Sequence, residues 1–119
     1  IQDSPVANGF DYFFGISASL DMPPYIYIEN DRFTELPDRE TIGKGKKYWR
    51  KGPTGKNFHH EHVLDELTDK VLEKIEEYKE EPFFLYFPMP APHTPILPAP
   101  EFQGKSGTNT EILSFTATM

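Results

Sequence analysis

A chain of 119 residues with 37% hydrophobic and 14% aromatic residues has room for one small domain and a modest core. Its net charge of −7 argues against nucleic acid as a partner, and no apolar run approaches the ~20 residues of a membrane span. The absence of cysteine excludes disulfides, thiol nucleophiles and thiolate metal sites, while twelve prolines and eight glycines predict a large share of loop.

Ile1 opens directly on mixed polar and apolar residues, without the pattern of a signal peptide. Residues 1–8 are polar, punctuated by Pro5 and followed by Gly9, and form a lead-in. Residues 9–16 (GFDYFFGI) are aromatic and β-prone, predicting a short strand that ends at Gly15. Ser17, Ala18 and Ser19 then make a small-residue loop. Residues 25–28 (YIYI) predict a second strand, stopped by the turn chemistry of Glu29, Asn30 and Asp31, and residues 32–36 are placed to pair back as a hairpin arm. Residues 37–57 show no periodicity and read as an irregular, charged excursion. Six of the twelve basic residues lie in 44–56, whereas acids crowd 61–81. A basic loop in an acidic protein can greet an anionic substrate, although a solvated surface loop is the commoner meaning of such a run.

The clearest helix is predicted over residues 61–79. Val63, Leu64, Leu67, Val71, Leu72, Ile75 and Tyr78 recur at three- and four-residue spacings and make one apolar stripe. Glu66 and Lys70 stand four apart in the favourable order, and Pro82 ends the element. Residues 83–87 (FFLYF) follow as a continuous apolar run, the pattern of a central strand covered on both faces of a parallel sheet. Helix, turn and buried strand make half of a βαβ unit, so the expected class is α/β. Residues 88–100 (PMPAPHTPILPAP) hold six prolines in thirteen positions and must form a stiff, extended loop. Ligands in open α/β sheets gather outside the carboxyl ends of the strands, where this loop would lie.

Three of the four histidines, His59, His60 and His62, cluster before the helix. A metal needs three or four converging ligands, and only Glu61 and Asp65 are at hand, so the cluster reads as helix-start and surface chemistry. His93 sits in the middle of the proline loop, where rigid neighbours would fix an imidazole for binding or acid–base work. Ser19 follows the first strand and either caps a turn or offers a hydroxyl to an oxyanion. No Gly-x-Ser-x-Gly elbow, glycine-rich phosphate loop or His-Glu-x-x-His motif occurs.

Two blocks carry a family resemblance. Residues 9–24 (GFDYFFGISASLDMPP) resemble the segment of arylsulfatase-type sulfatases that follows their Lys-x-His motif. Residues 82–95 (PFFLYFPMPAPHTP) are similar to the strand and histidine loop further along those enzymes, and Leu67-Thr-Asp-Lys-Val in the intervening helix fits as well. The likeness implies an internal piece of the family's alkaline-phosphatase-like mixed sheet flanked by helices. Residues 1–107 would be a partial catalytic domain, and residues 108–119 an unassigned tail expected to pack poorly. It implies sulfate-ester hydrolysis on a sulfated small molecule or glycan, in a periplasmic, secreted or lysosomal enzyme. In the family a formylglycine hydrate attacks sulfur, and a divalent cation, usually calcium, neutralises the sulfate oxygens. By position, His93 would be the catalytic histidine that contacts the sulfate ester, and Ser19 would line the substrate site with it.

Departures matter equally. No serine here is followed by x-Pro-x-Arg, the motif that seeds formylglycine, and the family's paired aspartates, Lys-x-His, Asp-Asn and later lysine are missing. The chain alone is therefore expected to turn over no sulfate ester, to bind no catalytic calcium and carry no formylglycine, and to self-associate through exposed strand edges. Two rivals share parts of the pattern. One is a phosphatase or phosphodiesterase relative with a different nucleophile; the other is a non-catalytic module that binds sulfated glycans through the basic loop.

Overall fold

The computed structural model describes residues 1–107. Three two-residue strands, β1 (Phe14–Gly15), β2 (Ile28–Glu29) and β3 (Arg32–Phe33), form an antiparallel sheet in the order β1-β2-β3. Asn30 makes the tight turn between β2 and β3 at φ 56°, a left-handed conformation that asparagine tolerates. Its side chain and backbone also clasp Phe13, with Phe13 N–H donating to Oδ1 at 3.1 Å and Asn30 N–H to the Phe13 carbonyl at 2.8 Å. The expected hairpin is thus present, with shorter arms than the sequence predicts. Residues 9–13 join no ladder, and Tyr25 pairs elsewhere.

The irregular excursion predicted over 37–57 is corrected by a second antiparallel sheet, β4 (Pro37–Thr41) with β5 (Gly52–Gly55). Its residues are Pro, Asp, Arg, Glu, Thr and Gly, so no apolar alternation announces it. Side chains from outside the usual strand vocabulary hold it together. The Arg39 guanidinium donates to the Gly55 carbonyl and, at 2.8 Å, to that of Phe58. Thr41 and Thr54 hydroxyls bond across the ladder at 2.7 Å, and Trp49 Nε1 donates to Thr41 Oγ1 at 3.2 Å. Tyr25 joins this sheet by an isolated parallel bridge to Thr54, donating to the Pro53 carbonyl and accepting from Gly55 N–H, both at 2.9 Å. Residues 25–28 therefore run between two sheets, which is why all four are buried.

Helix α1 (Val63–Tyr78) follows a short 3-10 turn at His60–His62. Val63, Leu64 and Leu67 bury the first half of its stripe; Val63 and Leu67 pack into a cluster with Leu20, Tyr25, Tyr27 and Phe58. Each such side chain removed from water contributes about 1.5–3 kcal/mol. The second half of the stripe stays uncovered, with Leu72 at 59% exposure and Ile75 and Tyr78 exposed as well. The expected Glu66–Lys70 pair is replaced by Lys70–Glu73 at 2.8 Å, because the lysine reaches the acid three residues on.

The sequence expectation for residues 83–87 is overturned. The run is extended but pairs with no strand among the described residues, and Phe84 and Tyr86 are 79% and 71% exposed. A central strand exists only through neighbours on both sides, and neither short sheet lies alongside this run. The half-βαβ unit with a parallel sheet is likewise not formed. Among the described residues the fold is a small mixed α/β arrangement of two antiparallel sheets and one α-helix. The proline loop is borne out, with no strand or helix from 88 to 99. It is firmly seated: Ala91 and Ile96 pack on Leu64 of α1, and Pro95, Leu97 and Ala99 are buried. The tail expectation for residues 108–119 lies outside the described residues.

Candidate functional site

Three loops converge. The first is residues 19–21, anchored by buried Leu20 and turned by Met22 N–H donating to the Ser19 carbonyl at 3.0 Å. The second is the basic loop, whose Arg50 N–H donates to the Asp21 carbonyl at 3.1 Å while Tyr25 Oη donates to the Arg50 carbonyl at 2.7 Å. Burial pushes the Tyr25 hydroxyl up to about 12, so it keeps the proton it donates. The third is the proline loop, joined to the second by Ile96 N–H donating to the Lys46 carbonyl at 3.0 Å. Gly43 closes the base of the basic loop, with its N–H on the Trp49 carbonyl at 3.1 Å. A Cβ at Gly43 would collide with the Lys47 carbonyl and the Trp49 ring, so only glycine permits this close approach.

His93 is exposed at the surface of the third loop, between cis peptide bonds at Ala91–Pro92 and Thr94–Pro95. Its Nδ1 lies 2.6 Å from the Thr94 carbonyl. A carbonyl only accepts, so Nδ1 carries a proton. Nε2 has no hydrogen-bond partner among the described residues and is available to a ligand, as a donor when protonated. Ser19, half-buried, donates its hydroxyl proton to the Asp21 carboxylate. That bond holds the Asp21 carboxyl below the usual carboxylate range, and the charges of His93 and Arg50 lower it further. Ser19 thus bonds an ionised carboxylate, Asp21, that also lies within electrostatic reach of His93. Because the single Ser19 proton is committed to Asp21, the hydroxyl meets a ligand first as an acceptor, and as a donor only after turning.

The histidine cluster divides. His59 and His62 are exposed, with ring centroids 5.6 Å apart, as expected of surface residues. His60 corrects that expectation: it is buried at 4% exposure in an aromatic box. Trp49 stacks on it at 3.8 Å, and Tyr25 and Phe58 meet it edge-on at 4.5 and 5.2 Å. Burial pushes its pKa down to about 4, so the ring is neutral at pH 7, and its buried Nε2 finds no partner. His60 therefore props the basic loop through the Trp49 ring stacked on it. Among the described residues no group of three or more His, Asp or Glu side chains converges as a metal site requires.

The sequence singles out neither Asp21 nor Arg50, and it assigns His60 to surface chemistry. Asp21 carried one faint signal, standing two residues after Ser19.

No family model matches the chain, and no solved structure matches it. Two curated proteins do. One is the N-acetylgalactosamine-6-O-sulfatase of Bacteroides thetaiotaomicron, 28% identical over 137 aligned positions that cover 86% of this chain and 27% of that protein. The other is the N-acetylgalactosamine-6-sulfatase of Mus musculus, 26% identical over 107 positions covering 88% of this chain and 20% of that protein. Both relatives are sulfatases by name, and this chain is similar to a segment of each. It spans between a fifth and about a quarter of the length of the relatives it matches. The chain includes both blocks on which the resemblance rests, and they form two of the three converging loops.

Proposed function

We propose that this segment forms one wall of the substrate pocket in a sulfuric ester hydrolase. His93 Nε2 contacts the sulfate ester, and Ser19 lines the pocket beside it, held by Asp21. The observation that carries this reading is the junction of the loops bearing Ser19 and His93, 74 positions apart in sequence, through the basic loop: Arg50 N–H bonds the Asp21 carbonyl and Ile96 N–H the Lys46 carbonyl. An imidazole whose Nδ1 proton is fixed by a carbonyl has a defined orientation, which contact with a sulfate oxygen or a leaving oxygen requires. The names of the two relatives favour a sulfated amino sugar as substrate. A periplasmic, secreted or lysosomal site of action goes with the same kinship.

The formylglycine nucleophile and calcium of the family do not fit onto these residues. No Ser-x-Pro-x-Arg occurs, and no metal-ligand cluster forms among the described residues. No step through either group is assigned to this segment. Residues 83–87, extended and apolar, are suited to enter an alkaline-phosphatase-like sheet once flanking strands are supplied. Mass spectrometry of a longer polypeptide carrying this segment tests the reading. Formylglycine within a Cys/Ser-x-Pro-x-Arg motif is expected. An unmodified serine or threonine nucleophile would replace the sulfatase reading with that of a phosphatase or phosphodiesterase.

A further inference from the structure

The basic loop takes no part in the chemistry above, yet it is the most firmly held surface feature next to His93. Arg50 has its N–H on the Asp21 carbonyl and its carbonyl under the Tyr25 hydroxyl, so its backbone is pinned on both sides. The preceding residue, Trp49, is locked between His60 and Thr41. The Arg50 side chain is exposed and makes no ion pair among the described residues, whereas its neighbour Lys51 is engaged with Glu40 at 3.0 Å. A guanidinium on a rigid base, with its donors unspent, is suited to an oxyanion, since its planar fork matches carboxylate and sulfate alike. The Ile96–Lys46 backbone bond ties this loop to the one that carries His93.

Asp21 shapes what such a site accepts. Its carboxylate is ionised, bonded by Ser19, and within electrostatic reach of both the His93 imidazole and the Arg50 guanidinium. A single anion laid against Asp21 would be repelled. An anionic group engaged by the Arg50 guanidinium has that repulsion offset by its cationic partner.

We propose that Arg50 is a specificity-determining residue that reads a second oxyanion, a sulfate or carboxylate, on the same sugar substrate whose sulfate ester meets His93. This rests on the function proposed above and adds its substrate class, a glycan with at least two negative groups close together.

The test is an NMR titration of the 119-residue chain at constant ionic strength, following the His93 ring and Arg50 side-chain signals. Three probes are compared: N-acetylgalactosamine 6-sulfate, its 4,6-disulfate, and a 6-sulfated disaccharide bearing a uronate. The doubly charged probes are expected to bind roughly five-fold tighter than the monosulfate, the upper end for one exposed ion pair. Whichever of the two shows that gain identifies the second group. R50Q is expected to abolish the gain while leaving the monosulfate unchanged, and the control K47Q to leave it intact. If His93 responds to every probe but R50Q leaves the preference untouched, the Arg50 assignment falls and the His93 reading stands. An equal loss in K47Q would show a diffuse basic surface and also overturn the assignment. If no probe moves the His93 signals, both fall together.

Discussion

Acidifying the protein from pH 7 to pH 4 asks the buried His60 ring to take a proton that its aromatic box resists. The folded-state value of about 4 lies below the usual 6.5 because burial penalises the charged form. The unfolded chain therefore binds this proton first. The contribution of His60 is fully present above pH 6.5, is lost progressively as pH falls towards 4, and changes no further once both states are protonated. The drop from 6.5 to about 4 corresponds to about 3 kcal/mol over that window. Asp21, held below the usual 3.8, adds its own loss only under that value, so the two effects separate. Urea denaturation at pH 7, 6, 5 and 4, followed by the fluorescence of Trp49, which stacks on His60, measures the effect. His60→Phe keeps an aromatic ring in the box and removes the titration. Its stability should decline by about 3 kcal/mol less than that of the unaltered chain across the window. Parallel stability–pH curves for the two chains would refute the reasoning.

Phe58, 1% exposed and packed at tilted and edge-on angles among Tyr25, Tyr27 and His60, lies in the larger cluster. Phe58→Ala should cost about 3–5 kcal/mol in the same denaturation experiment. The uncovered run at residues 83–86 is an unpaired, apolar length of extended chain. Light scattering should find the isolated chain self-associated, and the double substitution Phe84→Lys, Tyr86→Lys should shift it towards monomer. A monodisperse monomer before substitution would contradict this.

What the sequence revealed depended on how local the cause was. Helix α1 was legible because its stripe from Val63 to Leu67 and its stop before Pro82 are written within a few residues. The hairpin at Asn30 was legible through turn chemistry. The β4–β5 ladder was not, since Arg39, Thr41 and Thr54 secure it through polar bonds that carry no periodicity. Residues 83–87 misled in the other direction. FFLYF has the composition of a covered strand, but cover comes from other strands and cannot be read from the run itself. At the candidate site, His93 stood out because prolines frame it, and Ser19 gained its place from the resemblance. Asp21, Arg50 and His60 became visible only with the loops folded together, because the partners that define them, His93 for Asp21, Tyr25 for Arg50 and Trp49 for His60, lie 11 to 72 positions away.

The central claim is that His93 meets the sulfate ester, and its most direct test is sulfate-ester hydrolysis by a polypeptide that carries this segment together with the family's nucleophile. His93→Gln should lower kcat/KM by about 100-fold or more, as expected when a positioned imidazole is lost. It should leave denaturation of the isolated chain unchanged, because the ring is exposed. Undiminished hydrolysis by the His93→Gln protein would contradict the account.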